Sequence, residues 1–455
     1  MSRPTVLYTP NSLLLPTLLS GVFITILDFF IVNVAIPTIR ADLRAGPATV
    51  EWIVAGYGLA FGSGLVLGGR LGDRFGRRRV FATGLTAFTL ASLACGLAGS
   101  PGQLVVARVA QGAAAALLVP QVLAMIRTSF EGERQARAIT RYATTMGLAA
   151  VFGQLVGGVL IRVDPAGLGW RACFLINVPI GIAALALTLR AVPESRAASG
   201  GRIDLGGAGL ITLALAGVLL PLIEGREQGW PAWTWASFAV AGFLLYAYAR
   251  RPHPDPLIDP ALFRSPAVAV GLLAQLAFTM SMAGYFLVFA LYAQQGRGLG
   301  ALGAGLLFAP IGVGYLAASM LAPRFTARFG RQTIALGGVV RAGSLAVLLA
   351  LVAANAPYPA LGPVLAIDGF GMGLALAPIM GTVLSRVEAR HAGQAAGLLT
   401  TTQQVGGALG VGIIGVVFFG SPAGGVPEAF QHGLIYLIGV SLFLALVVQL
   451  LPARR

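Results

Sequence analysis

Long apolar runs recur from one end of this chain to the other, and nothing else in the sequence limits its fold so strongly. Fourteen of them, bounded by charges or by glycine and proline turns, follow one another between residues 13 and 451. A run of about 18 residues or more is long enough for a helix to cross about 30 Å of hydrocarbon. The runs are continuous rather than alternating, which points to helices and away from a membrane barrel. Composition agrees, since 10% of the 455 residues are charged, against about a quarter in soluble domains. The expected fold class is an all-α polytopic membrane protein.

The net charge of +15 does not indicate nucleic acid as a partner. Every basic residue is arginine, and the arginines sit in short caps between apolar runs rather than on one soluble basic face. Those caps orient the chain. An even number of spans puts both termini on one side, and the loops on that side hold 23 arginines against six on the other. Two more, Arg108 and Arg341, fall inside spans. By the positive-inside rule the N-terminal face is cytoplasmic, so both termini are expected in the cytoplasm and the chain in the cytoplasmic (inner) membrane of a cell. The first run is long, contains Asp28 and lacks a small-residue cleavage site, so it reads as a retained span and not a signal peptide. Cys95 and Cys173 give neither metal spacing nor a disulfide framework, and His253, His391 and His432 are scattered near helix ends.

The chain also repeats itself. "RFGR" at 74–77 returns at 328–331, Arg134 lines up with Arg390, and Pro120 with Pro378, at offsets of 254, 256 and 258 residues. Three matches in register argue for two homologous six-helix halves, at 1–196 and 266–455, related by an axis along the membrane normal. Residues 197–265 then hold two extra spans, which read as peripheral, lipid-facing helices; Trp230, Trp233 and Trp235 cluster at their connection like an interfacial belt.

Several motifs together carry a family resemblance. They are "GGRLGDRFGRRR" after span two, "LDFFIVNVAIP" (27–37) in span one, "RVAQGAAAALLVP" (108–120) in span four, "GQLVGGVL" (153–160) in span five and "WRACFLINVPIG" (170–181) leading into span six. Over essentially its whole length the chain resembles major facilitator superfamily transporters, specifically the fourteen-span drug:proton antiporter family. The resemblance implies the major facilitator fold, two six-helix halves plus two inserted helices. It also implies that the loop with Gly69, Asp73, Arg74, Gly76 and Arg77 is a cytoplasmic latch between halves. A plain positive-inside anchor is the alternative, but it would need neither Asp73 nor the glycines. The second copy carries Ala327 where the first has Asp73, so a second latch is weaker. In span five, Gln154 stands where the antiporter motif has proline.

The charges inside spans are the functional candidates, because a carboxylate at membrane depth is expensive. Asp28 lies roughly 22 Å from the cytoplasmic end of span one and Arg108 about 9 Å from the outer end of span four, at 1.5 Å per residue. These depths agree, allowing a pair that exchanges a proton as its geometry changes; the alternative is a static ion pair. Asp368 and Arg341 differ in depth by only about 6 Å. They either neutralise each other, or Asp368 faces the cavity and attracts a cation or carries a second proton. Further polar candidates for the substrate cavity are Asn33, Tyr57, Gln111, Gln121, Gln154, Tyr285, Gln294, Gln403 and Gln404.

The expected function is proton-coupled efflux of amphipathic, often cationic, drugs or related metabolites by alternating access. The alternative is a proton-coupled symporter or exporter of one small metabolite or lipid-like molecule. The expected partners are that small molecule, protons and membrane lipid, and the chain is expected to act as a monomer. No cofactor is expected: the proton gradient supplies the energy, and a chain without lysine cannot complete an ATP-binding G-x-x-x-x-G-K-[ST] loop. An enzyme would need clustered His, Asp or Cys at one depth, which the spans do not offer.

Overall fold

The computed structural model describes residues 12–196, 204–251, 265–384, 392–420 and 425–451. Arg390 of the repeat, His253 and His391 lie outside them. The described residues hold fourteen helices long and apolar enough to cross a membrane and no strand. They are α1 (Leu14–Leu43), α2 (Pro47–Phe75), α3 (Arg77–Gly96), α4 (Pro101–Ser129), α5 (Gly132–Val163), α6 (Gly169–Ala191) and α7 (Leu205–Glu227). The others are α8 (Ala232–Arg250), α9 (Pro266–Gly296), α10 (Ala301–Phe329), α11 (Gln332–Ala353), α12 (Tyr358–Leu384), α13 (Ala392–Phe419) and α14 (Gly425–Leu450).

Most helices outrun the apolar stretches that mark them. The run at 50–68 becomes α2 over Pro47–Phe75, because arginine-bearing ends can continue the helix beyond the hydrocarbon with their charges in water. Local signals set the ends. α4 starts with Pro101 in its first turn and with Ser100 Oγ accepting from the Gln103 N–H at 3.3 Å. α6 begins with short tight turns, and its regular part starts at Asn177, where Pro179 falls in the first turn and costs no hydrogen bond.

Packing within α1–α6 is repeated within α9–α14. α1 lies against α5 as α9 lies against α13, α2 against α4 as α10 against α12, and α3 against α4 as α11 against α12. Glycine makes the α2–α4 and α10–α12 crossings close: a Cβ on Gly68 or Gly112 would collide with the Ala116 or Tyr57 carbonyl, and one on Gly314 or Gly369 with that of Ala366 or Ile311. The helix groups meet along α2–α13 and α5–α10. α2 and α13 run antiparallel without a slip in register, bringing Gly58 to Ala408 and Gly62 to Gln404. Along α5–α10, Gly158 meets Ala301, and Gly147 meets Tyr315 deeper in the membrane. These contacts run from mid-membrane toward the arginine-poor face, the one that carries the α1–α2 and α9–α10 turns.

Candidate functional site

Five helices converge on Asp28, which is fully buried on α1. Arg108 of α4 donates through Nη1 to Asp28 Oδ2 at 2.5 Å and to Gln111 Oε1 at 2.7 Å, and through Nε to the Ile53 carbonyl of α2 at 3.0 Å. Gln111, one turn on, donates to Asp28 Oδ1 at 2.9 Å and to Ser92 Oγ of α3 at 2.6 Å. Asn177 of α6 donates to the same Oδ1 at 2.6 Å. The guanidinium lies 4.4 Å from the Tyr57 ring centroid, and Tyr57 donates its hydroxyl to the Thr25 carbonyl. This is a carboxylate met by three side-chain donors and balanced by one buried cation. Tyr57 and Gln111, expected at a cavity wall, belong to this cluster instead, because their polar atoms are already engaged. Ser92 and Asn177 escaped sequence reading; Asn177 lay within the motif "FLINVPIG", but a neutral amide in an apolar run carries no signal of its partner.

A second buried pair joins α11 and α12. Arg341 Nε lies 3.6 Å from Asp368 Oδ1, and the Ser344 hydroxyl, shared between acceptors, reaches the same oxygen at 3.4 Å and the Arg341 carbonyl at 2.9 Å. The guanidinium lies 5.8 Å from both the Phe278 and Tyr285 ring centroids of α9. Its three nitrogens, Asp368 Oδ2 and the Tyr285 hydroxyl make no hydrogen bond. The two pairs are not copies. The first set places its arginine on the fourth helix and its aspartate on the first, whereas the second set uses the third and fourth.

Between the two groups lies a cavity of about 910 Å³, open solvent included. Phe29, Phe30 and Phe61 line it from one side, Phe286, Phe308 and Tyr315 from the other, with Met146, Met282 and Met372 between. The Phe30 and Phe286 rings meet edge to face at 5.3 Å across the interface. The lining contains no charged residue; Thr279, Tyr315, Gln403 and Gln404 are its polar side chains. Of the nine polar candidates only Gln403 and Gln404 reach this wall. The others sit on helix–helix faces. Gln121 donates to the Gly68 carbonyl at 2.7 Å and Gln294 to that of Val34 at 3.0 Å, while Asn33, Gln154 and Tyr285 are buried away from it.

The α2–α3 turn is built around Gly76, whose φ of +107° favours glycine. Arg77 Nη2 lies 2.8 Å from Asp73 Oδ1, Gly69 rests against Pro120, and the Arg74 guanidinium covers the Phe75 ring. The resemblance implies partners in the other half. Here the first N–H groups of α3, unpaired within the helix, turn instead to the segment after α6: Arg77 N donates to the Ser195 carbonyl at 2.9 Å and Arg78 N to Glu194 Oε1 at 3.1 Å.

Among the described residues, two matching groups of six spans with two further spans beside them enclose a central cavity, which is the architecture of a membrane transporter. The Major Facilitator Superfamily pattern matches residues 18–411, and the chain belongs to that family. It is 36% identical over 416 residues to the probable actinorhodin transporter of Streptomyces coelicolor, covering 89% of this chain and 72% of that one. It is 36% identical over 443 residues to the cephamycin export protein CmcT of Amycolatopsis lactamdurans, covering 94% and 90%. Both relatives are named for transport, not catalysis. Among solved structures it resembles the partially occluded inward-open xylose transporter XylE from E. coli, with a TM-score of 0.67 at 14% identity over 95% of this chain and 96% of that one.

Proposed function

We propose that this chain is a proton-coupled antiporter that exports amphipathic small molecules, drugs or related antibiotic-like metabolites, by alternating access. The observation that carries the reading is the sealed Asp28–Arg108 cluster beside an uncharged aromatic cavity. In a buried pair the two charges cancel; protonating Asp28 leaves Arg108 uncompensated, at a cost of about 3–5 kcal/mol. The proton therefore cannot arrive without a rearrangement of α1 against α4, and that is the coupling a proton-driven carrier needs. The cavity selects by apolar area and ring stacking, with Gln403 and Gln404 supplying hydrogen bonds. Relatives named for actinorhodin transport and cephamycin export support this substrate class.

In this reading residues 1–196 and 266–455 are the rocking halves and 197–265 the insertion between them. The arginine-rich face is cytoplasmic, both termini are on that side, the proton gradient replaces any cofactor, and the chain works alone. Asp368 and Arg341 neutralise each other inside the second half. The test is gradient-driven movement of ethidium into vesicles of purified protein. Wild type is expected to move the dye, Asp28→Asn to lose at least about tenfold in rate, and Asp368→Asn to retain it. Equal transport by wild type and Asp28→Asn would remove Asp28 from the coupling.

A further inference from the structure

The inserted helix α7 is not peripheral. Its last turns lie against both α2 and α13, with Leu219 and Ile223 buried and Leu222 facing Gly412 of α13. Three of its side chains make four polar contacts beyond them. Arg226 Nη1 donates to Glu51 Oε1 of α2 at 3.0 Å and to the Gly415 carbonyl of α13 at 2.5 Å. Glu224 accepts from Trp52 Nε1 at 2.9 Å, and Glu227 accepts from the Ala48 N–H, in the first turn of α2, at 3.0 Å. The Arg226 guanidinium lies 5.0 Å from the Phe419 ring centroid, which covers it from the α13 side. Glu51 is fully buried, and a side chain on residue 415 would fall on its carboxylate, so glycine there lets α2 and α13 close over the pair.

One nitrogen thus holds one residue from each helix group. Any motion that parts α2 from α13 on the arginine-poor face must break the bond to Glu51 or the bond to Gly415. We infer that Arg226 and Glu51 are positioning residues of the transport cycle: they clamp this face shut, and α7 is the strap that carries the clamp. The inference rests on the alternating-access reading above, in which this face must open once per cycle. It also gives the inserted segment a task, since a strap fixed to neither half by the chain's own repeat can bear on both.

The test measures opening directly. Gly46 precedes α2 and Gly300 precedes α10; both are exposed on this face, with open space where a side chain would go. Spin labels on Gly46→Cys and Gly300→Cys report the distance between the groups, and native Cys95 and Cys173 are buried. Wild type in nanodiscs is expected to show mainly the short distance. Arg226→Ala and, separately, Glu51→Gln are expected to raise the ratio of long to short distances by about tenfold, the loss of one charged hydrogen bond, with Arg226→Lys returning it toward wild type. Distance distributions of monodisperse variants that overlie wild type would overturn the clamp. Because the distances are read without substrate, they stand apart from ethidium transport: a shift without transport keeps the clamp and removes the drug reading.

Discussion

Asp28 sits at the centre of the account because of what surrounds it. Its carboxylate takes Arg108, Gln111 and Asn177 at 2.5–2.9 Å, three of the roughly four hydrogen bonds a carboxylate can accept, and it is fully buried. Removing the cation alone leaves an uncompensated buried charge, so Arg108→Ala is expected to destabilise the protein by about 3–5 kcal/mol. Asp28→Asn keeps the shape but leaves Arg108 as the uncompensated charge, so its cost is expected to be similar, about 3–5 kcal/mol. Thermal unfolding of the two variants in detergent checks this, and wild-type stability of either would refute it. The second pair makes the opposite case. None of the three Arg341 guanidinium nitrogens makes a hydrogen bond, so replacing both partners, Arg341→Met with Asp368→Leu, is expected to leave stability within about 1 kcal/mol of wild type or raise it, while Arg341→Met alone lowers it. Depth counting placed Asp28 beside Arg108 and Asp368 near Arg341, because helical rise is constant. It did not find Ser92, Asn177, Glu51 or Glu194. Neutral polar residues in apolar runs, and acids at the ends of runs, look the same in a sequence whether or not a partner lies across the interface.

At the scale of the helix, the fourteen spans were legible because each must be long and apolar to exist in hydrocarbon. Which way each faces was not. α7 is apolar all round, so nothing in its run marks the side that meets α2 and α13, and the triplet that anchors it, Glu224, Arg226 and Glu227, reads as the start of a loop. The polar candidates show the same limit: the runs give their depth, but only packing decides that Gln403 and Gln404 face the cavity while Gln121 and Gln294 bind backbone carbonyls. Close crossings are more readable. Gly112 is expected to tolerate no larger side chain, because its Cβ would strike the Tyr57 carbonyl just where that ring covers Arg108. Gly112→Leu is expected to cost about 1–3 kcal/mol and to widen the α2–α4 crossing. A drop in thermal stability and in folded yield measures it; wild-type stability would show that the crossing is loose.

The whole molecule couples these parts by geometry. The helix groups are in contact from mid-membrane toward the arginine-poor face, where Arg226 spans them, and the aromatic cavity lies between them near the Asp28 cluster. In the proposed cycle a proton on Asp28 and a substrate between the aromatic walls bias the same rocking motion in opposite senses. The direction of proton flow tests this most directly. Vesicles of purified protein are loaded with ethidium and an internal pH dye, diluted into dye-free buffer of equal pH, and followed as ethidium leaves down its gradient. Antiport requires the interior to acidify in wild type and to stay unchanged with Asp28→Asn. Ethidium exit with an interior that stays at constant pH, or turns alkaline, would contradict proton antiport.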